Sequence, residues 1–171
     1  MPLPLLWIGA GVVTYLASAQ LANKKSNTSV AVKPGEGNLR VVPCDGAIVS
    51  CHIFGVFEHT GIWLDNNIIE LKGNGLIRGI SPQRFLQQRS GEQIFVACDA
   101  SGQPLVSADA AQCASSQLYC YSEYDVLKNN CHQFVWQCVS NKNQTLTSFA
   151  ELNQSLAVFF GEAVHWQRTA I

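Results

Sequence analysis

Among the seven cysteines and four histidines of this 171-residue chain, one of each stands where a nucleophile can be assembled. Cys131 lies in NNCHQFVWQCV (129–139), where Asn129 or Asn130 can cap a helix that begins at the cysteine itself. The unpaired amides and the positive end of a helix dipole stabilise a thiolate, so a thiol placed there is acidified. His59 opens the β-rich run HTGIWL (59–64). An imidazole facing the helix start would lower the thiol's pKa further and later donate a proton to a leaving group. Glu70 lies beyond the turn Asp65-Asn66-Asn67, and cross-strand pairing brings it within reach of the ring's other nitrogen. The candidate catalytic residues are therefore Cys131 as nucleophile, His59 as acid–base and Glu70 as orienting carboxylate. Against them stands the ordinary role of a free cysteine, a small buried hydrophobe.

A sheet and a helix must hold these groups together, and the chain supplies both. LRVV (39–42), AIVSCHIF (47–54), HTGIWL (59–64), IIELKG (68–73), GLIRGI (75–80) and EQIFVAC (92–98) read as strands. Asp-Asn-Asn between two apolar runs predicts a hairpin. SPQRFLQQRS (81–90) reads as a helix, with Ser81 as N-cap and Pro82 at the first position. SADAAQCASSQLYCY (107–121) has helical spacing. In the helix from Cys131, Phe134, Val135, Cys138 and Val139 lie on one stripe. Ser148 and Glu151 form a capping box that opens a last helix over 148–166, with Leu152, Leu156, Phe159, Phe160 and Val164 on its apolar face. The fold class is α+β: a small antiparallel β-sheet packed by two or three helices, preceded by an N-terminal hydrophobic helix.

The other histidines read as structural. His52 belongs to a β-rich run, and His165 stands near the end of the predicted last helix, where it suits the dipole. His132 points elsewhere than Cys131, because adjacent helical positions do not share a face. Cys51-His52 and Cys131-His132 supply four possible zinc ligands, but their spacing matches no usual zinc pattern. No metal and no cofactor is expected.

Residues 2–19, PLPLLWIGAGVVTYLASA, carry no charged side chain, and Lys24 and Lys25 follow. The run is long enough to span a bilayer, and positive charge on its C-terminal side keeps the following domain cytoplasmic. Ala17-Ser18-Ala19 also fits a signal-cleavage site, which would export the domain, although no Lys or Arg precedes the run. The division that follows is 1–22 as anchor or signal segment, 23–38 as a polar linker with Pro34, Gly35 and Gly37, and 39–166 as the domain. An odd number of cysteines without a regular framework points to free thiols in a reducing compartment. Net charge is −1 and the pI about 6.4, which gives no basic surface for nucleic acid.

HTGIWLDNNIIEL resembles the histidine hairpin of the lecithin:retinol acyltransferase family, and YDVLKNNCHQFV is similar to that family's Asn-Cys-Glu-His-Phe-Val motif. The order also fits, with Asp45-Gly46, then His59, then Cys131, over about residues 38–140. The resemblance implies a permuted papain-like, NlpC-type cysteine fold. It implies a thioester on Cys131, a phospholipid or other acyl donor, a membrane as partner, and transfer of the acyl group to water, an amine or an alcohol. The chain departs from the family at three places. Glu70 stands where the animal enzymes carry a second histidine, His132-Gln133 replaces Glu-His, and the apolar segment is N-terminal instead of C-terminal. Two other readings use the same residues: a cysteine peptidase or amidase, and a non-catalytic membrane-tethered interaction module.

Overall fold

A tight hairpin organises the sheet. Asp65 and Asn66 both adopt left-handed backbone conformations (φ 48° and 56°), which the short Asp and Asn side chains tolerate and a two-residue turn requires. A computed structural model of the chain describes residues 29–53, 57–87, 89 and 92–171. The hairpin joins strand β4 (Phe57–Leu64) to β5 (Asn67–Leu71). In chain order around it come β1 (Val30–Val32), β2 (Arg40–Val41), β3 (Ile48–Ile53), then β6 (Ile77–Ile80), helix α1 (Pro82–Leu86), β7 (Phe95–Cys98), α2 (Ala110–Ser116), α3 (Cys131–Ser140), α4 (Phe149–Phe160) and β8 (Val164–Thr169).

The strands form one eight-stranded sheet in the order β1-β8-β7-β3-β4-β5-β6, with β2 also paired to β8. Every pairing from β8 through β6 is antiparallel, and β1 and β2 meet β8 in parallel. Side chains alternate between two cores. Ile62, Ile69, Leu71 and Ala97 pack with Ala114, Phe134, Val135 and Leu152 of α2, α3 and α4. Their strand neighbours Trp63, Ile68, Val96 and Cys98 pack with Phe85 of α1. Burial on both faces explains why the strands read as nearly continuous apolar runs instead of alternating ones.

The α+β class holds, but the sheet is neither small nor purely antiparallel, and four helices pack on it among the described residues. Two segment readings account for the difference. The helix expected over 148–166 stops at Phe160, because Gly161 takes a left-handed C-cap (φ 78°) and its amide bonds back to the Ala157 carbonyl. The chain beyond it becomes β8, so His165 is a strand residue and not a helix-terminal one. Val164, which the helical pattern placed on an apolar face, pairs instead with Val30. The stretch 23–38 contains β1 and is therefore more than a linker, and the folded unit runs to Thr169 instead of ending at 166. The expected helix at 107–121 covers only Ala110–Ser116; Tyr119 (φ 65°) breaks it, and Tyr121 bridges to Leu76. The apolar segment 2–19 lies outside the described residues, and among those described no helix is long and apolar enough to cross a membrane.

Gly61 ties this packing to the site. A Cβ there would lie 2.6 Å from Ile68 Cγ2 and 2.8 Å from the Ile69 carbonyl oxygen. Because backbone blocks it on one side, β4 and β5 would have to separate. Gly61→Ala is expected to lower the unfolding free energy by about 1–3 kcal/mol. Its urea midpoint against the unaltered chain measures this, and an unchanged midpoint would refute it.

Candidate active site

The helix that carries the thiol begins where its cap dictates. Asn130 is extended (φ −126°, ψ 179°), and its side chain accepts hydrogen bonds from the His132 and Gln133 amides at 2.9 and 3.1 Å. Gln133 Oε1 accepts from the Asn130 amide at 3.2 Å, which completes a capping box. The Asn130 amide group also donates to the Val126 and Leu146 carbonyls, so the cap is anchored on both sides. With the two following amides taken, the Cys131 amide is the donor left at the helix start. The hydroxyl of Tyr124 lies against it and against the thiol.

Strand geometry brings the imidazole and the carboxylate together. Trp63 pairs with Ile68, so the face that carries Trp63 and His59 on β4 also carries Ile68 and Glu70 on β5. His59 Nε2 lies 2.6 Å from Glu70 Oε2, and both residues are buried. Since Nε2 is engaged, Nδ1 is the nitrogen free to serve the thiol. Phe85 packs against the imidazole with ring centroids 5.3 Å apart. The three residues singled out from sequence thus converge, with Cys131 and His59 lining one cavity and Glu70 behind the ring.

Two arginines complete the carboxylate's surroundings, and neither was singled out from sequence. Arg78, the cross-strand partner of Glu70, donates Nε and Nη2 to Oε1 at 2.9 and 2.8 Å. Arg89 donates Nη2 to Oε2 at 2.8 Å, bonds the Phe85 carbonyl and lies over the Phe85 ring at 4.8 Å. Burial alone would favour the neutral acid, but His59 and Arg89 outweigh it and pull the Glu70 pKa down to about 2. Burial likewise opposes the imidazolium, yet the Cys131 thiolate and Glu70 raise the His59 pKa to about 9. Cys131 is the counterpart: burial opposes its ionisation, and the charges of His59 and His132 overcome this and hold its pKa well below the ordinary value. Both shifts favour the thiolate–imidazolium pair over the neutral thiol and imidazole. In contrast, burial raises the pKa of Cys51 to about 11 and of Cys98 to about 12.

His132 is a correction to the sequence reading. Its Nδ1 lies 3.9 Å from Cys131 Sγ and 3.1 Å from Thr60 Oγ1, so it shares the site. The rule that adjacent residues diverge applies along a helix flank; at the first turn the cavity wraps the helix end and meets both side chains. A Cys-His dipeptide was the available signal. Tyr124 left no comparable signal, because its role depends on how the 125–129 turn folds back.

The cavity above Cys131 measures about 860 Å³. Its apolar wall includes Val30, Ile53, Phe57, Val126 and Phe149, and its polar groups include Lys33, His52 and Glu58. Among the described residues no three His, Cys, Asp or Glu side chains gather as a metal site, and all seven cysteines carry free thiols. No family model, curated protein or solved structure matches this chain.

Proposed function

We propose that this chain is a membrane-tethered cysteine acyltransferase or lipid hydrolase that works through a thioester on Cys131, as its likeness to the lecithin:retinol acyltransferase family implies. The observation that carries the reading is Cys131 at a helix start beside His59, which a buried Glu70 holds by its far nitrogen, beneath a large and mainly apolar cavity. An inert buried cysteine has its pKa raised by burial, as Cys98 does, and needs no such surroundings.

The chemistry follows from those positions. The Cys131 thiolate attacks the carbonyl carbon of an acyl ester. The developing oxyanion takes the Cys131 amide and the Tyr124 hydroxyl as donors. As the intermediate collapses, the ester C–O bond breaks, and the proton on His59 Nδ1 passes to the departing alcohol. The acyl group remains as a thioester. Neutral His59 then takes a proton from water, an amine or an alcohol, whose attack breaks the C–S bond and restores the ion pair. Glu70 stays ionised and orients the ring throughout. The apolar wall favours an acyl chain. Lys33, His52 and Glu58 favour a charged peptide-like substrate, so amide cleavage is the alternative reading.

Incubating the chain with a short-chain diacyl phospholipid, beside a Cys131→Ala variant, tests the proposal by intact mass. An adduct of one acyl group on the unaltered chain only, lost on hydroxylamine treatment and accompanied by released lysolipid, is the expected result. No adduct and no lysolipid, with Cys131 no more reactive than the other six thiols, would exclude it.

A further inference from the structure

The mouth of the cavity is built to display apolar side chains outward. Phe57, at the start of β4, is 65 % exposed, and Val126, before α3, is 66 % exposed; both line the cavity. Leu127, beside Val126, is 61 % exposed. This is not a loose loop. Asp125 and Asn129 exchange backbone hydrogen bonds at 2.8 Å, and the Asp125 carboxylate accepts from the Leu127 and Lys128 amides. Asn130 holds the Val126 carbonyl at 2.8 Å. Five hydrogen bonds thus fix a turn whose tip presents two large aliphatic side chains to water, with the exposed Lys128 next to them. Exposed apolar side chains clustered at a cavity mouth mark a contact surface.

The chain itself indicates what covers that surface. Val30 and Lys33, which lie on the cavity wall, follow within fifteen residues of Ala19, the end of the uncharged run 2–19. Extended chain spans at most about 3.5 Å per residue, so a bilayer holding that run is within reach of the mouth. We propose that the mouth, through Phe57, Val126 and Leu127, rests in the interfacial layer of a lipid bilayer, with Lys33 and Lys128 near its headgroups. The cavity above Cys131 then opens directly into the acyl region, and a lipid tail enters without crossing water. This deepens the lipid reading of the site and rests on it for its purpose, but the contact is testable without any turnover.

Leu127→Trp and Phe57→Trp variants of the full chain, reconstituted in phosphatidylcholine vesicles with some phosphatidylserine, provide the test. Groups at this interface sit about 5–10 Å into the headgroup–acyl boundary. Bromine on the acyl chains near that depth is therefore expected to quench the emission each added tryptophan contributes, taken as the difference between the variant and the unaltered chain, at least about twofold. Water-like emission without quenching would overturn the proposal. So would blue-shifted emission without quenching, which would mean that protein covers the mouth, either the chain's own segment 2–19 or a second copy. Quenching in a chain that forms no thioester would retain the docking surface and remove the acyl-transfer reading.

Discussion

A His59→Ala chain is expected to lose most of the reactivity of Cys131 toward iodoacetamide near neutral pH. In the intact site, burial pushes the thiol toward neutrality, and the charges of His59 and His132 reverse that. Without His59 the larger of the two stabilising charges is gone while burial remains. The pKa then rises, and each unit of rise removes about tenfold of the thiolate below it. The alkylation rate should fall by at least about tenfold, and the midpoint of its pH profile should move upward. His132→Ala should move the same midpoint in the same direction, because its charge and its contact with the thiol also favour the thiolate. Alkylation of His59→Ala within about twofold of the unaltered chain, with an unmoved midpoint, would show that the helix start and His132 acidify the thiol without His59.

Glu70→Leu is expected to be the most destabilising single substitution in the site. Glu70 accepts from three cationic side chains and is fully buried. Removing one partner from a buried charge cluster leaves the others uncompensated, typically a loss of about 3–5 kcal/mol. Arg78 and Arg89 keep some contact with solvent, 23 % and 14 %, which places the expected loss near the lower end. Adding Arg78→Met and Arg89→Met should recover much of the stability, since an apolar cluster can replace an ionic one. It should not recover the orientation of His59, so Cys131 should remain slow to alkylate. A urea midpoint for Glu70→Leu equal to that of the unaltered chain would refute this account.

The same cluster sets how stability depends on pH. The Glu70 pKa falls from 4.5 to about 2 on folding, so its contribution is complete above 4.5 and is lost as pH falls through about 2. The His59 pKa rises from 6.5 to about 9, so its contribution is complete below 6.5 and is lost as pH rises through about 9. These two groups favour the folded state most between 4.5 and 6.5.

The site was legible in sequence where local rules decide it. An asparagine before a cysteine specifies a capped helix with the thiol in its first turn. A two-residue turn fixes the hairpin register, and the register puts His59 and Glu70 on one face. The arginines were hidden because their contacts are long-range. Arg78 reads as one polar residue in a short strand, and Arg89 follows a helix and shows no pattern with Glu70. The fold was misread for a related reason. Apolar residues at helical spacing continue from Leu152 to Val164, and only three residues, opened by the left-handed Gly161, separate the helix from the strand after it. Periodicity could not reveal that Val164 has a strand partner as distant as Val30.

That distant pairing has a consequence for how the molecule is made. β1 and β2 each find their sheet partner in β8, which follows every other described element in the chain. During synthesis the thiol's helix, the imidazole's hairpin and both arginines emerge before the strand that fixes Val30 and its neighbours against the sheet. One wall of the cavity must therefore wait until β8 inserts between β1 and β7, and such long-range pairings are slow to form. The residues of the reactive pair emerge before the strand that encloses them, so the cavity closes over Cys131 only when the last strand inserts.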